Sequence, residues 1–477
     1  MAVIGRTGLE RALDDVEARL GKGPSSLDLE AERAQLLARL GRTEEARARY
    51  LEILQRDPTH FATLNNFGTL LYETDYRSAA RTVFEQAVRH HPQQPMGHVN
   101  LANLLMYAGE LETARGHYET ALSLDPANAH AHQRFSALLH ELGEPEAMQR
   151  HRRLGFGAAP MQSFPCLGPG EGIPLLLLTS TPAGDIAWRK LVDDQRFQTT
   201  ALAAEFHDPS ASLPAHRLVF NAIGDADLCR EDLLAAQALC DRSVMPVINP
   251  PANVLETRRM DNARRLGGLP GVRAPRVALM RGEAISADAL AAEGFGFPLL
   301  LRSPGFHTGR HFVRVDAAEA LDATVAALPG PELMAIEHLD ARGPDGFARK
   351  YRVMMIDGRL YPLHLAASPD WKVHYFTGAM GDREDFRDEE ARFLEQMPQA
   401  LGPRAMEALA AIQETMGLDY AGVDFALGPE GELLLFEANA TMNIIAPDAS
   451  ARWDYRRAAI AAALAATREM LVRRARL

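Results

Sequence analysis

Cysteine is scarce: the 477 residues hold three, Cys166, Cys229 and Cys240. An odd number without CxxC spacing supplies neither a disulfide framework nor a zinc site, and a reducing cytoplasm suits it best. Basic residues are in deficit, 51 against 63 acids for a formal charge of -12. General phosphate neutralisation, which drives non-specific nucleic-acid binding, is therefore disfavoured, and no nucleic-acid partner is expected. Long apolar runs are missing too. The longest, Ile173 to Leu178, is far shorter than the about 20 residues that cross a bilayer, and the first residues carry acids at helical spacing with no apolar leader core. Neither export nor a membrane association is expected. What is present is ordinary for folded protein, 47% hydrophobic and 24% charged residues, in a length that implies about three packed units.

The first third repeats itself every 34 residues. Gly68, Ala80, Phe84, Ala87 and Pro92 return as Ala102, Ala114, Tyr118, Ala121 and Pro126, and are preceded by Ala34, Ala46, Tyr50, Ile53 and Pro58. Small residues stand where two helices approach, an aromatic fills the gap between them, and proline closes each unit. After Ser136 the pattern fades through Met148. This resembles the tetratricopeptide repeat, with leucine or histidine replacing the family's usual tryptophan. The spacing predicts repeats at 27–60, 61–94 and 95–128 and a solvating cap to about residue 154. The groove of such a stack would carry Asn66, Asn100 and Arg134 at equivalent positions, with Asn103 a turn beyond Asn100. These side chains either hold a peptide or protein partner or simply solvate the surface.

Residues 155–173 are dense in glycine and proline and read as a linker without a regular element. From 174 to 260, apolar runs alternate with helix-like segments, which implies a small parallel sheet in an α/β domain. The loop TSTPAGD after the first run has neither Walker nor GxGxxG spacing. Ser-His-Asp chemistry finds no GxSxG elbow either.

The most informative segment is DYAGVDFALGPEGELLLFEANATMN, a hairpin about a Gly-Pro-Glu-Gly turn. A four-residue loop at 428–431 would set Asp424 opposite Leu435 and put Asp424, Leu435, Glu437 and Asn439 on one face. Val423, Phe425, Leu434 and Phe436 would then line the other. Two carboxylates and an amide in apolar strands are costly unless paired or ligating, and hard oxygen donors suit Mg2+.

GVDFAL followed by LLFEANATMN resembles the metal-binding end of the ATP-grasp superfamily, nearest the D-alanine:D-alanine ligases and RimK-like glutamate ligases. The resemblance spans about residues 174–477, with 261–477 as the nucleotide-binding and catalytic domain. The expected fold is multidomain: an all-α tetratricopeptide solenoid, then an α/β plus α+β ATP-grasp fold. The resemblance implies ATP and Mg2+ as cofactors, with Asp424, Glu437 and Asn439 as metal ligands. It implies nucleotide contacts from Arg302, from His307 and Thr308 in the loop over the phosphates, from Glu337, His338 and Leu339 at the adenine hinge, and from Lys372. KYRVMMIDGRLYPLHLAAS reads as a hairpin around Asp357-Gly358. Arg352, His364, Lys372 and His374 would wall an acyl-phosphate pocket.

Two departures stand out. Relatives often carry Asp-Lys where this chain has Asp261-Asn262, so a phosphate-binding cation is missing unless Arg258, Arg259 or Arg264 replaces it. The glycine-rich loop is thinned to Gly305 and Gly309. The implied activity is ATP-dependent carboxylate–amine ligation through an acyl-phosphate, on a small-molecule or peptide substrate. The repeats would recruit a peptide or protein, or organise a homodimer. Alternatives are a small-molecule kinase of the same fold and a nucleotide-binding adaptor or sensor with little turnover.

Overall fold

The computed structural model describes residues 5–22, 26–181, 184–304, 311–373, 379–445, 447 and 450–477. The chain forms two compact units. One is Met1–Leu177 with Thr181–Ala183 and Asp193–Arg217; the other is Leu178–Ser180, Gly184–Val192 and Leu218–Leu477.

The first unit opens with nine helices among the described residues: α1 (Arg6–Leu20), α2 (Leu27–Arg39), α3 (Thr43–Arg56), α4 (Phe61–Glu73), α5 (Arg77–His90), α6 (Pro95–Tyr107), α7 (Leu111–Leu124), α8 (Ala129–Glu141) and α9 (Pro145–Ala158). The 34-residue period becomes packing. Tyr50, Phe84 and Tyr118 are buried, and a Cβ built on Gly68 would lie 2.5 Å from the Phe84 ring. In that repeat the missing side chain lets the aromatic lie directly against the facing helix. The turn inside each pair needs a left-handed residue, which Gly41, Asp75, Gly109 and Gly143 supply at the same spacing.

The segment expected to be a cap is instead a fourth helix pair, α8 with α9. Its signature faded because the slots changed occupants. Arg152 stands 34 residues after Tyr118 and is buried, its guanidinium bonded to Thr181 and Glu205. Gly155 follows Ala121, and a Cβ there would lie 2.7 Å from the Gln133 backbone nitrogen. That glycine admits helix α9 to α8 rather than marking a boundary.

Residues 155–173 are likewise not free of regular structure. They include the end of α9 and strand β1 (Met161–Phe164), which pairs antiparallel with β3 (Phe197–Ala203). Pro160 and Pro165 only bracket this strand, and the Pro160 carbonyl accepts from Ala203 N at 2.8 Å. Strand β2 (Ile173–Thr179) is almost continuously apolar and lies where the two units divide.

In the second unit β4 (Leu218–Asn221) and β5 (Val247–Ile248) pair in parallel, as the alternating runs predicted, with α10 (Arg230–Cys240), α11 (Pro251–Leu255) and α12 (Arg259–Gly267) around them. Two further sheets follow. Strands β7 (Val277–Arg281), β8 (Leu299–Arg302), β9 (Phe312–Val315) and β10 (Glu332–Glu337) form one in the order β7-β10-β8-β9. Helices α13 (Ala287–Ala292) and α14 (Leu321–Ala327) share its core, where Leu290 and Leu321 meet Leu299 and Leu301. The other sheet runs β12-β11-β13-β14-β6, from β6 (Val272–Arg273), β11 (Ala348–Ile356), β12 (Arg359–Ser368), β13 (Tyr420–Leu427) and β14 (Leu433–Asn439). Helices α15 (Glu384–Glu395), α16 (Met397–Met416) and α17 (Asp454–Arg474) complete the unit. No helix among the described residues is long and apolar enough to cross a membrane.

The β11–β12 hairpin turns on Asp357 and Gly358, both at positive φ, as its Asp-Gly pair predicts. The β13–β14 hairpin differs from expectation. Its loop holds five residues, since Leu427 pairs with Leu433, and this slip puts Leu434 rather than Leu433 beside Ala426. A bulge between Asp424 and Phe425 then restores the alternation. Asp424 faces Glu437 and Gly422 faces Asn439, while Leu435 turns to Phe425 and Phe436 joins the face of Leu339 and Leu434.

Candidate functional site

Alternation along β8 builds the first wall of a cavity. Leu299 and Leu301 enter the helix-backed core, while Leu300 and Arg302 face the opposite way. The cavity has a volume of about 530 Å3 and lies within the second unit, with β11, β13 and β14 as its other wall. One end is apolar, formed by Val277, Leu300, Met334 and Ile336. Phe312 and Trp371 stand there with ring centroids 5.4 Å apart and planes at 76°. Beside them β10 ends at Glu337, whose carboxylate accepts from Arg276 N at 3.0 Å and Arg273 Nη2 at 3.2 Å. His338 and Leu339 continue the lining.

The other end is charged. Arg352 grips Asp424 with two bonds of 2.6 and 2.8 Å, and Lys350 Nζ lies 3.0 Å from the same carboxylate. Burial alone would push this acid's proton affinity up, but Arg352 and then Lys350 reverse the effect and hold it far below the usual carboxylate range. Glu437 is also pushed up by burial and brought down overall by Arg259 and Arg302. Its Oε1 accepts from Arg259 Nη2 at 2.6 Å and from Asn439 Nδ2 at 2.9 Å. The cations suffer in turn. Burial and then neighbouring Arg259 lower Arg302 to about 10, and burial and then Arg302 lower Lys372. Their surroundings disfavour both positive charges, so an incoming anion would stabilise them.

Asp424 and Glu437 oppose each other across one ladder pair, with Asn439 two residues on. These hard oxygen donors fit Mg2+ in kind. Their present counter-charges are Lys350, Arg352 and Arg259, and Asn439 Oδ1 accepts from Thr441 N and Oγ1 at 3.0 and 2.9 Å. Among the described residues no group of three or more His, Cys, Asp or Glu converges on one point.

The structure thus brings Arg302, Glu337, His338, Leu339, Lys372, Asp424, Glu437 and Asn439 to one cavity. His307, Thr308 and His374 lie outside the described residues. Arg352 acts through Asp424, and neither it nor His364 is part of the lining. His364 pairs with Arg352 on β12 and is 4% exposed, so burial and then the Arg352 charge keep it neutral. The expected catalytic role of His364 is not what its position provides, because the strand register seats it beside Arg352 and away from the cavity.

Sequence reasoning missed Lys350, although two-residue alternation from Arg352 would have found it. It left the replacement cation open among three arginines, and the geometry separates them. Arg259 reaches Glu437, whereas Arg258 lies nearest Asp227 and Asp261, and Arg264 pairs with Asp261 on the surface. Asn262 is buried and donates to Ala438 O at 2.6 Å, fastening α12 to β14, and its Oδ1 has no partner among the described residues. One turn earlier on the same helix face, Arg259 supplies the charge.

The candidate groove residues divide in the same way. Tyr118 donates its hydroxyl to Asn103 Oδ1 at 2.6 Å, and Asn100 Nδ2 donates to Asn65 Oδ1 at 2.7 Å across adjacent repeats. These two asparagines join helices. Asn66 is half-buried beside Asn65, and Arg134 is exposed near Tyr72 and Tyr118.

Residues 3–124 match a family model described as the Psidin N-terminal TPR repeats region, and this part of the chain consists of tetratricopeptide repeats. Similar solved structures include MamA (41-end) from Desulfovibrio magneticus RS-1, 20% identical over 31% of this chain and 82% of that one, TM-score 0.27. A structure titled for Pseudomonas aeruginosa pilF is 22% identical over 31% and 68%, TM-score 0.29. YrrB, titled a TPR protein with an unusual peptide-binding site, is 17% identical over 32% and 79%, TM-score 0.27. No curated protein matches the chain.

Proposed function

We propose that the second unit is an ATP-grasp carboxylate–amine ligase. The observation that carries this reading is the polarity of one cavity. An apolar, aromatic end suited to a planar base leads past the Glu337–Leu339 hinge to a charged end where burial and then a neighbouring arginine lower the proton affinity of both Arg302 and Lys372. That is the outline of a nucleotide with its phosphates. The γ-phosphate of ATP would pass to a substrate carboxylate, and an amine would attack the acyl-phosphate, leaving an amide, ADP and phosphate.

Asp424, Glu437 and Asn439 would hold magnesium, which neutralises phosphate charge when bound. Arg302 and Lys372 would orient the transferring group, and Arg259 would meet the phosphates from α12. Arg352 holds Asp424 ionised and in place. The apolar walls and Trp371 would restrict water near the acyl-phosphate, whose hydrolysis wastes ATP. The repeats would recruit a peptide or protein substrate, or a second copy of the chain.

A second reading has one observation in its favour. Asp424 and Glu437 are already neutralised by Lys350, Arg352 and Arg259, which suits a nucleotide-binding adaptor with little turnover. Calorimetric titration with ADP and Mg2+ tests the shared nucleotide claim: saturable binding weakened by Arg302→Ala and Glu437→Gln supports it, and no binding removes both readings. Turnover that yields a phosphoester instead of an amide would assign the site to a kinase.

A further inference from the structure

The 34-residue period carries a second pattern in the repeat helices. His98 on α6 meets His117 on α7 with Nδ1 atoms 3.1 Å apart, and one repeat later His132 on α8 meets His151 on α9 at 2.8 Å. The same slots one repeat earlier hold Leu64 and Val83. The hydrogen-bond partners fix each tautomer. His98 Nε2 lies 3.0 Å from Pro92 O and His132 Nε2 3.0 Å from Pro126 O, and a carbonyl only accepts, so both Nε2 atoms carry hydrogen and both Nδ1 atoms are bare. His151 Nε2 accepts from Arg150 Nη2 at 3.3 Å, which leaves the proton on its Nδ1, aimed at His132. His117 supplies the corresponding Nδ1 proton to His98. Each pair thus shares one proton between two neutral rings, in a core where His98, His132 and His151 are at most 7% exposed.

We propose that these two histidine pairs are acid-sensitive latches that hold the third and fourth helix pairs closed when neutral and open them when a second proton enters. The added proton displaces a hydrogen bond or meets a like charge wherever it enters the His132–His151 pair. His132 Nδ1 is already taken as the acceptor of the His151 Nδ1 hydrogen, the two nitrogens being 2.8 Å apart. On His151 it must sit on Nε2, facing the Arg150 guanidinium. Charged groups on the packed helices offer no relief. Arg81 takes Glu85 and Glu110, Arg115 takes Glu112, Glu119 and Glu144, and Asp125 accepts from Asn128. No carboxylate among the described residues offsets the burial of His117 or His151.

Burial and then His132 push His151 down to about 4, and burial and then His98 lower His117. His117 and His151 resist protonation in the folded chain and accept it near 6.5 when unfolded, so His151 contributes stability that is complete above pH 6.5 and lost as pH falls toward 4. The test is hydrogen exchange of the full chain, read as protection factors corrected for intrinsic rates between pH 7.5 and 4.5. Segments of α6–α9 are expected to lose protection by up to about tenfold per pH unit below 6 for each extra proton taken up on opening. Segments of α4 and α5, with Leu64 and Val83, keep theirs. Replacing both pairs by the chain's own alternative, His98→Leu with His117→Val and His132→Leu with His151→Val, is expected to abolish the acid response. Side-chain nitrogen NMR of the histidines reads the tautomers without any substitution. Equal loss of protection in α4–α5, an acid response that survives the substitutions, or Nε2-protonated His151 at neutral pH would each overturn the proposal.

Discussion

Asp424 and Glu437 illustrate how far single residues can be read. Their place on one face was legible, because an acid in an apolar strand needs a partner. The partners were not, since Lys350, Arg352 and Arg259 come from a strand and a helix that no local pattern ties to the hairpin. The two acids should respond differently to neutralisation. Asp424→Asn leaves Arg352 and Lys350 buried without a counter-charge and is expected to cost about 3–5 kcal/mol of stability, measured by urea unfolding of the full chain. Glu437→Gln retains a half-exposed polar group and is expected to fold normally, which makes it the cleaner probe of function. Arg259 gives a further residue-level prediction. Arg259→Ala should weaken ADP binding about tenfold or more, as loss of one charge-assisted contact implies, while surface Arg264→Ala leaves it unchanged. Equal effects of the two would remove Arg259 from the phosphate site.

Helices and strands were mostly legible, and the misses share a cause. The repeat period was readable because identical slots demand identical sizes. It faded at α8–α9 because buried Arg152 and close-approach Gly155 satisfy the same slots by other means. The β13–β14 hairpin was recognised with the wrong loop length, and a bulge concealed the error by restoring Glu437 and Asn439 to the face of Asp424. Neither bulge nor loop length has a sequence mark when both flanks are apolar. Gly68 offers a test at this scale. Alanine would gain about 1 kcal/mol of helix propensity, but its Cβ would sit 2.5 Å from the buried Phe84 ring. Overpacking of that kind costs about 1–3 kcal/mol, so Gly68→Ala is expected to be neutral to destabilising by circular dichroism. A gain of a full kcal/mol would contradict the packing account.

The whole molecule joins two kinds of architecture, a tetratricopeptide array and a unit of mixed sheets that encloses the cavity. Length predicted several units, but not that residues 193–217 group with the repeats, because chain order does not reveal which strand pairs with which. The acidic net charge is compatible with the proposed phosphate site, whose cations would be a few half-buried cavity side chains rather than a basic surface. The central claim is that this cavity spends ATP to join a carboxylate to an amine. Its most direct test is ADP release by the full chain with MgATP and mixed amino acids and peptides, alongside mass analysis for new amides. The account predicts substrate-stimulated ADP release with an amide product, reduced at least about 100-fold in Glu437→Gln by loss of electrostatic stabilisation. Absence of any stimulated release, or release that Glu437→Gln leaves intact, would contradict it.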